Sequence, residues 1–343
     1  MGVWQVSAQK LVRVAVDAMG GDHAPSEIVS GAVSAAAEGD VQVLLVGDPD
    51  RVEAELAKHD TGKLPIAAVP SEGVVLEGES PTLALRQKPR ASILVATGMV
   101  KQGHADACVT MGSTGAAVAA AAFVLGMIDG VDRPALGGPI IGLAPRTVII
   151  DVGTNVDCRP SQLLSFGVIG SVFAKQYWGL DRPRVALLSV GAEAGKGNRQ
   201  VREATELLEK SGLNFIGNVE ANDLPHGAAE VVVCDGFVGN VVMKLTEGLG
   251  QVMSEHLRST LGDKLSPDQV DELVKETYAL NNVAETAGGG PLFGVNGVSV
   301  IGHGRARADA VQRAIGTAKL VVESGFVDTL NEELARVRAS VGE

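Results

Sequence analysis

Cysteine, basic charge and unbroken apolar runs are what this 343-residue chain has least of, and each shortage excludes something. The three cysteines, Cys108, Cys158 and Cys234, stand far apart, with no CxxC pair and no metal-ligand histidine beside them. That argues against a disulfide framework or a metal site and points to a reducing cytoplasm. Twenty-nine Lys and Arg face 41 Asp and Glu, a formal net charge of −12. A dominant basic face is therefore not expected, and neither is a nucleic-acid partner. Locally clustered basic residues still leave room for an acidic partner. The first ten residues, MGVWQVSAQK, lack a signal peptide's apolar run, and Val6 stands where N-myristoylation needs Ser or Thr. From Ala107 to Ile128 no residue is charged, a length that raises the question of a membrane span. Met111-Gly112-Ser113-Thr114-Gly115 interrupts that stretch. A helix over Ala116–Ile128 would be only about 20 Å long. A buried strand, a glycine turn and a buried helix are expected instead.

Hydrophobic residues make up 45%, and glycine is abundant at 43 without a G-X-Y period. Length and hydrophobic content fit one large α/β domain. Val/Ile/Leu-rich runs at 11–17, 41–47, 105–110, 147–151, 184–189, 214–217 and 230–234 predict strands. Several are almost continuously apolar, as strands covered on both faces are. Helical patterns fall at about 51–59, 91–102, 116–128, 161–178, 198–211, 240–261 and 308–324. The alternation predicts a doubly wound, mostly parallel α/β sheet. A single catalytic domain is expected over 11–325, as one body or two packed lobes, with a helical excursion at about 240–281. Residues 1–10 and 326–343 read as terminal extensions.

Ligands of such sheets bind where strands end and loops lead into helices. Five such loops carry glycine and polar residues: Asp17–His23, Gly112–Gly115, Asp151–Asp157, Gly191–Asn198 and Asp235–Asn240. They are expected to form one extended site along a single rim. Gly112, Ser113, Thr114 and Gly115 suit an anion, since glycine admits close backbone approach and a helix start presents N–H groups without partners. The plainer reading is a strand-to-helix turn with an N-cap. No GxxxxGK[ST] and no GxGxxG occurs, which disfavours a nucleotide. Asp22 or His23 is a base or donor, or Asp22 caps the helix that begins near Pro25. Asp151, Asn155 and Asp157 read as metal ligands or as turn-orienting groups, with the second favoured. Cys158 is either a nucleophile or a small buried hydrophobe, again with the second favoured. Lys196, flanked by Gly195 and Gly197, is well placed to reach a small anion. Arg86, Lys88 and Arg90 are either a solvated surface or a steering patch for an acidic protein. His303 is a donor or an ordinary loop histidine.

The same loops carry a resemblance. Val16-Asp17-Ala18-Met19-Gly20-Gly21-Asp22-His23-Ala24-Pro25 resembles the opening motif of the PlsX family of phosphate acyltransferases. The match continues through Ala105-Asp106-Ala107, Gly115-Ala116, Asp132-Arg133-Pro134-Ala135 and Asp151-Val152-Gly153, with Asn155 and Asp157. It runs on through Lys196-Gly197-Asn198, Phe215–Glu220, Asp235–Asn240 and Gly302-His303-Gly304. The resemblance implies a three-layer α/β/α fold like that of isopropylmalate dehydrogenases and phosphotransacetylases. It implies a homodimer, and transfer of a fatty acyl group from acyl-acyl-carrier protein to inorganic phosphate, giving acyl phosphate for phospholipid synthesis. A membrane glycerol-3-phosphate acyltransferase is the partner implied downstream. Phosphate is its own nucleophile, so no cofactor is implied.

On that resemblance Gly112–Gly115 and Lys196 hold phosphate, while Asn155 and Asn240 donate to the oxyanion or substrate. Asp22 and His23 orient phosphate or shuttle its proton. Asp17, Gly20, Gly21, Asp151, Asp157, Asn198, Asp235 and His303 bind substrate, and Arg86, Lys88 and Arg90 dock the carrier protein. Two departures stand out. Gly112-Ser113-Thr114-Gly115 replaces the usual Gly-Asn-Thr-Gly, and Arg305-Ala306-Arg307 replaces small hydroxyl residues. The acidic stretch Ser254–Tyr278 predicts at most weak, peripheral membrane association. The alternatives are an acyl-coenzyme A-dependent phosphotransacylase, a metal- and NAD-dependent hydroxy-acid dehydrogenase of similar fold, and a non-catalytic carrier- or lipid-binding module.

Overall fold

The structure, a computed structural model, describes residues 11–342. Its first half runs β1 (Val12–Asp17), α1 (Ser26–Ala37), β2 (Val41–Gly47), α2 (Pro49–Leu56), β3 (Ile66–Pro70), α3 (Pro81–Gln87), α4 (Ser92–Lys101), β4 (Ala107–Thr110) and α5 (Thr114–Val124). There follow β5 (Ala135–Pro139), β6 (Val148–Ile150), α6 (Pro160–Trp178), β7 (Arg184–Leu188), α7 (Arg199–Lys210), β8 (Asn214–Val219) and β9 (Val231–Val233). The chain ends with α8 (Gly236–Leu261), α9 (Pro267–Asn281), α10 (Val283–Thr286), β10 (Gly290–Phe293), β11 (Val298–Ile301), α11 (Ala308–Glu323) and α12 (Phe326–Val341).

The eleven strands form one sheet in the order β3-β2-β1-β4-β11-β10-β5-β6-β9-β7-β8. Alternate residues of its strands go to opposite faces. Val14 and Val16 of β1 join the large cluster with Ile28, Val29 and Val311, whereas Ala15 joins Ala96 and Cys108 on the other side. In β9, Val231 and Val233 face the large cluster and Val232 packs with Ile149 and Leu188. Helices thus cover both faces, which explains the near-continuous apolar runs and gives the three-layer α/β fold.

Two stretches without an apolar signature change the geometry. β10 and β5 carry GPLF and ALGGP, compositions that do not announce strands. Both are in the middle of the sheet, and the pairings β11–β10, β10–β5 and β5–β6 are all antiparallel. Three reversals leave β6, β9, β7 and β8 parallel to one another but opposed to β1, β2, β3, β4 and β11. The five glycine-rich loops therefore leave from two rims of the sheet, not from a single one. Five of the chain's eleven aromatics gather in one cluster. Phe173, Tyr177, Trp178, Phe293 and Phe326 stack, meet edge-on or tilt together at centroid distances of 5.0–6.0 Å, joining α6, β10 and α12. Residues 326–341, read as part of a terminal extension, form α12, which buries Phe326, Leu330, Leu334 and Val337 in the main core. Residues 1–10 are outside the described part.

Candidate active site

Three turns meet at the ends of β1, β4 and β11. Asp17 is buried at the last position of β1, where Thr110 Oγ1 donates to its Oδ2 at 2.7 Å and Met19 N to its Oδ1 at 3.2 Å. Burial pushes its carboxyl above the usual range, against the pull of those hydrogen bonds. Thr110 Oγ1 in turn accepts from Gly112 N at 3.0 Å. A Cβ on Gly20 would stand 2.6 Å from Asp17 Oδ2 and 2.8 Å from Gly112 N, so only glycine lets the first two turns touch. The third turn is tied in by Asp22 N donating to Gly304 O at 2.7 Å and Gly302 N to Thr110 O at 2.9 Å.

Beyond this junction opens a cavity of about 980 Å³. Gly21, Asp22, Gly112, Ser113, Thr114 and His303, all singled out from the sequence, line it, as does Arg305. Ser113 precedes α5 without a side-chain cap, so the first N–H groups of that helix are left for a ligand. One expectation is trimmed here, because the Gly112 N–H is already engaged by Thr110. Met19, Val74, Val75, Leu76 and Met111 supply an apolar wall, and α8 brings Lys244, Glu247, Gly248 and Gln251. Lys244 Nζ donates to Glu247 Oε2 at 2.7 Å. Burial lowers the His303 pKa, which keeps its imidazole neutral at neutral pH, and the nearby charge of Glu247 works the other way. Neither Lys244 nor Glu247 was found from the sequence. They lie inside a helix rather than in a strand-end loop; the spacing of Lys244, Glu247 and Gln251, a polar row beside apolar neighbours, was the available signal.

Other expected residues are elsewhere. Asp17 and Gly20 lie in the junction behind the cavity and do not line it; nor do His23 and Gly115. Asp151, at the end of β6, is fully buried and accepts from Gly153 N, Thr154 N, Asn155 N and Asn155 Nδ2 at 2.7–3.1 Å. Asn155 Nδ2 also donates to Pro134 O at 2.8 Å, so the amide proposed as an oxyanion donor is spent inside the fold. α8 starts against this turn: a Cβ on Gly239 would stand 1.8 Å from Asp151 O, and the exposed Asn240 packs on Gly153. Asp235 and Asn198 cap α8 and α7, accepting from Val238 N and Val201 N. Asp157 is exposed beside Arg133 and Arg159 around a separate hollow of about 430 Å³.

Lys196 is exposed in the loop after β7. Six strand spacings separate β7 from β4, roughly 29 Å at about 4.8 Å each, so the cavity's lysine is Lys244. Lys88 points inward, donating to Val74 O at 2.9 Å and to both Glu79 carboxylate oxygens, while Arg86 and Arg90 are exposed. Among the described residues no three His, Cys, Asp or Glu side chains gather as a metal site. Burial pushes the Cys158 thiol up to about 12, which removes the thiolate a nucleophile needs.

The sequence pattern of the family described as "Fatty acid synthesis protein" matches residues 12–329. The chain is 45% identical over 327 residues to a phosphate acyltransferase of Desulforamulus reducens, covering 94% of this chain and 98% of that one. It belongs to this family. Its fold is shared with a phosphotransacetylase from Streptococcus pyogenes at 19% identity, with a TM-score of 0.62 over 91% of this chain and 94% of that one. A 4-hydroxythreonine-4-phosphate dehydrogenase from Klebsiella pneumoniae shares it too, at 16% identity and a TM-score of 0.52, over 91% of this chain and 100% of that one. The family's members are acyltransferases, and the cavity combines an uncapped helix start and a lysine with an apolar wall.

Proposed function

We propose that the chain transfers a fatty acyl group from acyl-acyl-carrier protein to inorganic phosphate, releasing acyl phosphate and free carrier protein. The observation that carries this is the pairing, in one cavity, of the uncapped start of α5, Lys244 and His303 with the apolar wall of Met19, Val74–Leu76 and Met111. In the reaction the thioester C–S bond breaks and a C–O bond to phosphate forms. The proton of hydrogen phosphate ends on the released thiol. No side-chain nucleophile is needed; the protein holds the anion against the carbonyl and stabilises the charge that develops there. The first N–H groups of α5 and the Lys244 ammonium hold phosphate. His303, kept neutral, donates to the carbonyl oxygen as it becomes an oxyanion.

The donor is held on a carrier protein drawn in part by the exposed Arg86 and Arg90. The protein works as a cytoplasmic homodimer whose acyl phosphate passes to a membrane glycerol-3-phosphate acyltransferase. The exposed row Phe237, Val241, Leu245, Leu249 and Val252 along α8 suits such association. Among the described residues no helix is long and apolar enough to cross a membrane. The test is incubation with acyl-acyl-carrier protein or acyl-coenzyme A, with and without phosphate, trapping product with hydroxylamine for mass spectrometry. Phosphate-dependent hydroxamate from the carrier thioester is expected. Thioester cleavage that ignores phosphate, or a preference for the coenzyme A donor, refutes the reading.

A further inference from the structure

One departure from the family pattern lies at the edge of the cavity. Arg305 and Arg307 stand where small hydroxyl residues are usual, and with Arg313 they line a second hollow of about 190 Å³. It adjoins the main cavity along Tyr278, His303 and Arg305, which line both. Each guanidinium is held from one side. Arg305 Nη2 donates to Glu285 Oε2 at 3.0 Å, Arg307 Nη1 to Glu27 Oε1 at 3.4 Å and Arg313 Nη2 to Asp309 Oδ2 at 2.9 Å. A guanidinium carries five N–H donors, so most of those around the hollow remain for a ligand. Glu285 Oε2 also accepts from Tyr278 Oη at 2.9 Å, which braces Arg305 where the two spaces meet. Glu285 and Asp309 belong to the lining and Glu27 does not, so three cations face two anions in a chain of net charge −12. Pockets for drug-sized molecules start at about 300 Å³, so the hollow suits a single charged group and not a nucleotide.

We infer that this hollow binds the phosphodiester of the pantetheine arm that carries the acyl thioester. This rests on the reading of the cavity as the place where the thioester meets phosphate. The arm has the thioester at one end and the diester at the other. A donor whose carbonyl lies by His303 must therefore place one negative charge further along, and Arg305 leads from the cavity to the hollow that can take it. Guanidinium forks match phosphate oxygens two at a time, which a lysine does not. The lining's single surplus positive charge equals the diester's single negative one. Coenzyme A carries further phosphates on its nucleotide end, and no further cation of the lining is left to meet them. The hollow thus favours a carrier-protein thioester over a coenzyme A thioester.

Isothermal titration with pantetheine and with its methyl phosphodiester tests this without turnover, since neither probe carries an acyl group. The wild-type chain is expected to bind the diester on the order of tenfold more tightly than pantetheine. In Arg305→Gln and in Arg313→Gln the ratio of the two dissociation constants falls toward one. Arg336→Gln, exposed on α12, leaves it unchanged. Because the ratio compares two ligands on one variant, a general loosening of the site does not move it. Coenzyme A, as a third probe, should bind no more tightly than the diester. Equal affinities or no binding of the diester in the wild type, a ratio that both variants leave unchanged, or a further large gain with coenzyme A overturns the inference. Diester selectivity without phosphate-dependent acyl transfer would sink the functional reading and leave the hollow's ligand standing. Acyl transfer with equal affinities would do the reverse.

Discussion

Asp17 and Asp151 hold two turns in the same manner and to different ends. Each is a buried carboxylate at the close of a strand, each gathers backbone N–H groups from a glycine-containing loop, and burial raises the pKa of both. Around Asp17 the turns after β4 and β11 close ranks but leave a cavity in front of them. At Asp151 the front is occupied, because Gly236 and Gly239 bring the start of α8 directly onto the loop. The same local chemistry serves a site in one half and a helix seat in the other. What packs in front of the turn decides which.

The sharpest way to break this contrast is to add one methyl group to each half. Gly239→Ala places a carbon where Asp151 O already stands and should cost about 3 kcal/mol or more, seen in urea denaturation or as failure to fold. Gly304→Ala, at the cavity, meets nothing closer than 3.5 Å and should leave stability within about 0.5 kcal/mol. Equal costs would mean that the two turns are packed alike.

Next in size is the choice of lysine. Lys244→Ala should lower kcat/KM for phosphate on the order of 10²-fold, while Lys196→Ala should stay within about twofold. The reverse order would move the site to the β7 half. The sequence singled out Lys196, and the structure sets that residue apart from this cavity for a physical reason. Each βα unit was legible from its apolar run and the helix after it. The reversal of the sheet was not, because it is made by β5 and β10, whose Gly- and Pro-containing segments look like loops. Without that reversal, Lys196-Gly197-Asn198 and Gly112–Gly115 belong to one rim; with it they are far apart. Asp22, Gly112–Thr114 and His303, which line the cavity, could be picked out from the sequence because they sit in strand-end loops. Lys244 and Glu247 reach the cavity only through the way α8 crosses the fold, which is long-range packing.

A smaller effect concerns pH. Burial raises Asp17, so the folded chain holds that proton more tightly than the unfolded one. Wild type should therefore gain stability relative to Asp17→Asn as pH falls from about 7 toward the unfolded carboxyl value near 3.9, and Asp151→Asn should show the same sign. A denaturation series across that window checks it; an opposite slope at Asp17 would mean that its hydrogen bonds outweigh its burial. Smallest of all, iodoacetamide near neutral pH should leave Cys158 unmodified in the folded chain, since its thiol titrates at about 12. Rapid labelling there, read by peptide mass spectrometry, would show that the Asp151 half opens.

The most direct test of the central claim is a crystal of the chain soaked in phosphate. The account predicts tetrahedral density between the first turn of α5, Lys244 and His303, in contact with the Ser113 and Thr114 backbone. Phosphate found instead between Arg133 and Arg159, or beside Lys196, with the Asp17-side cavity holding only water, would contradict it.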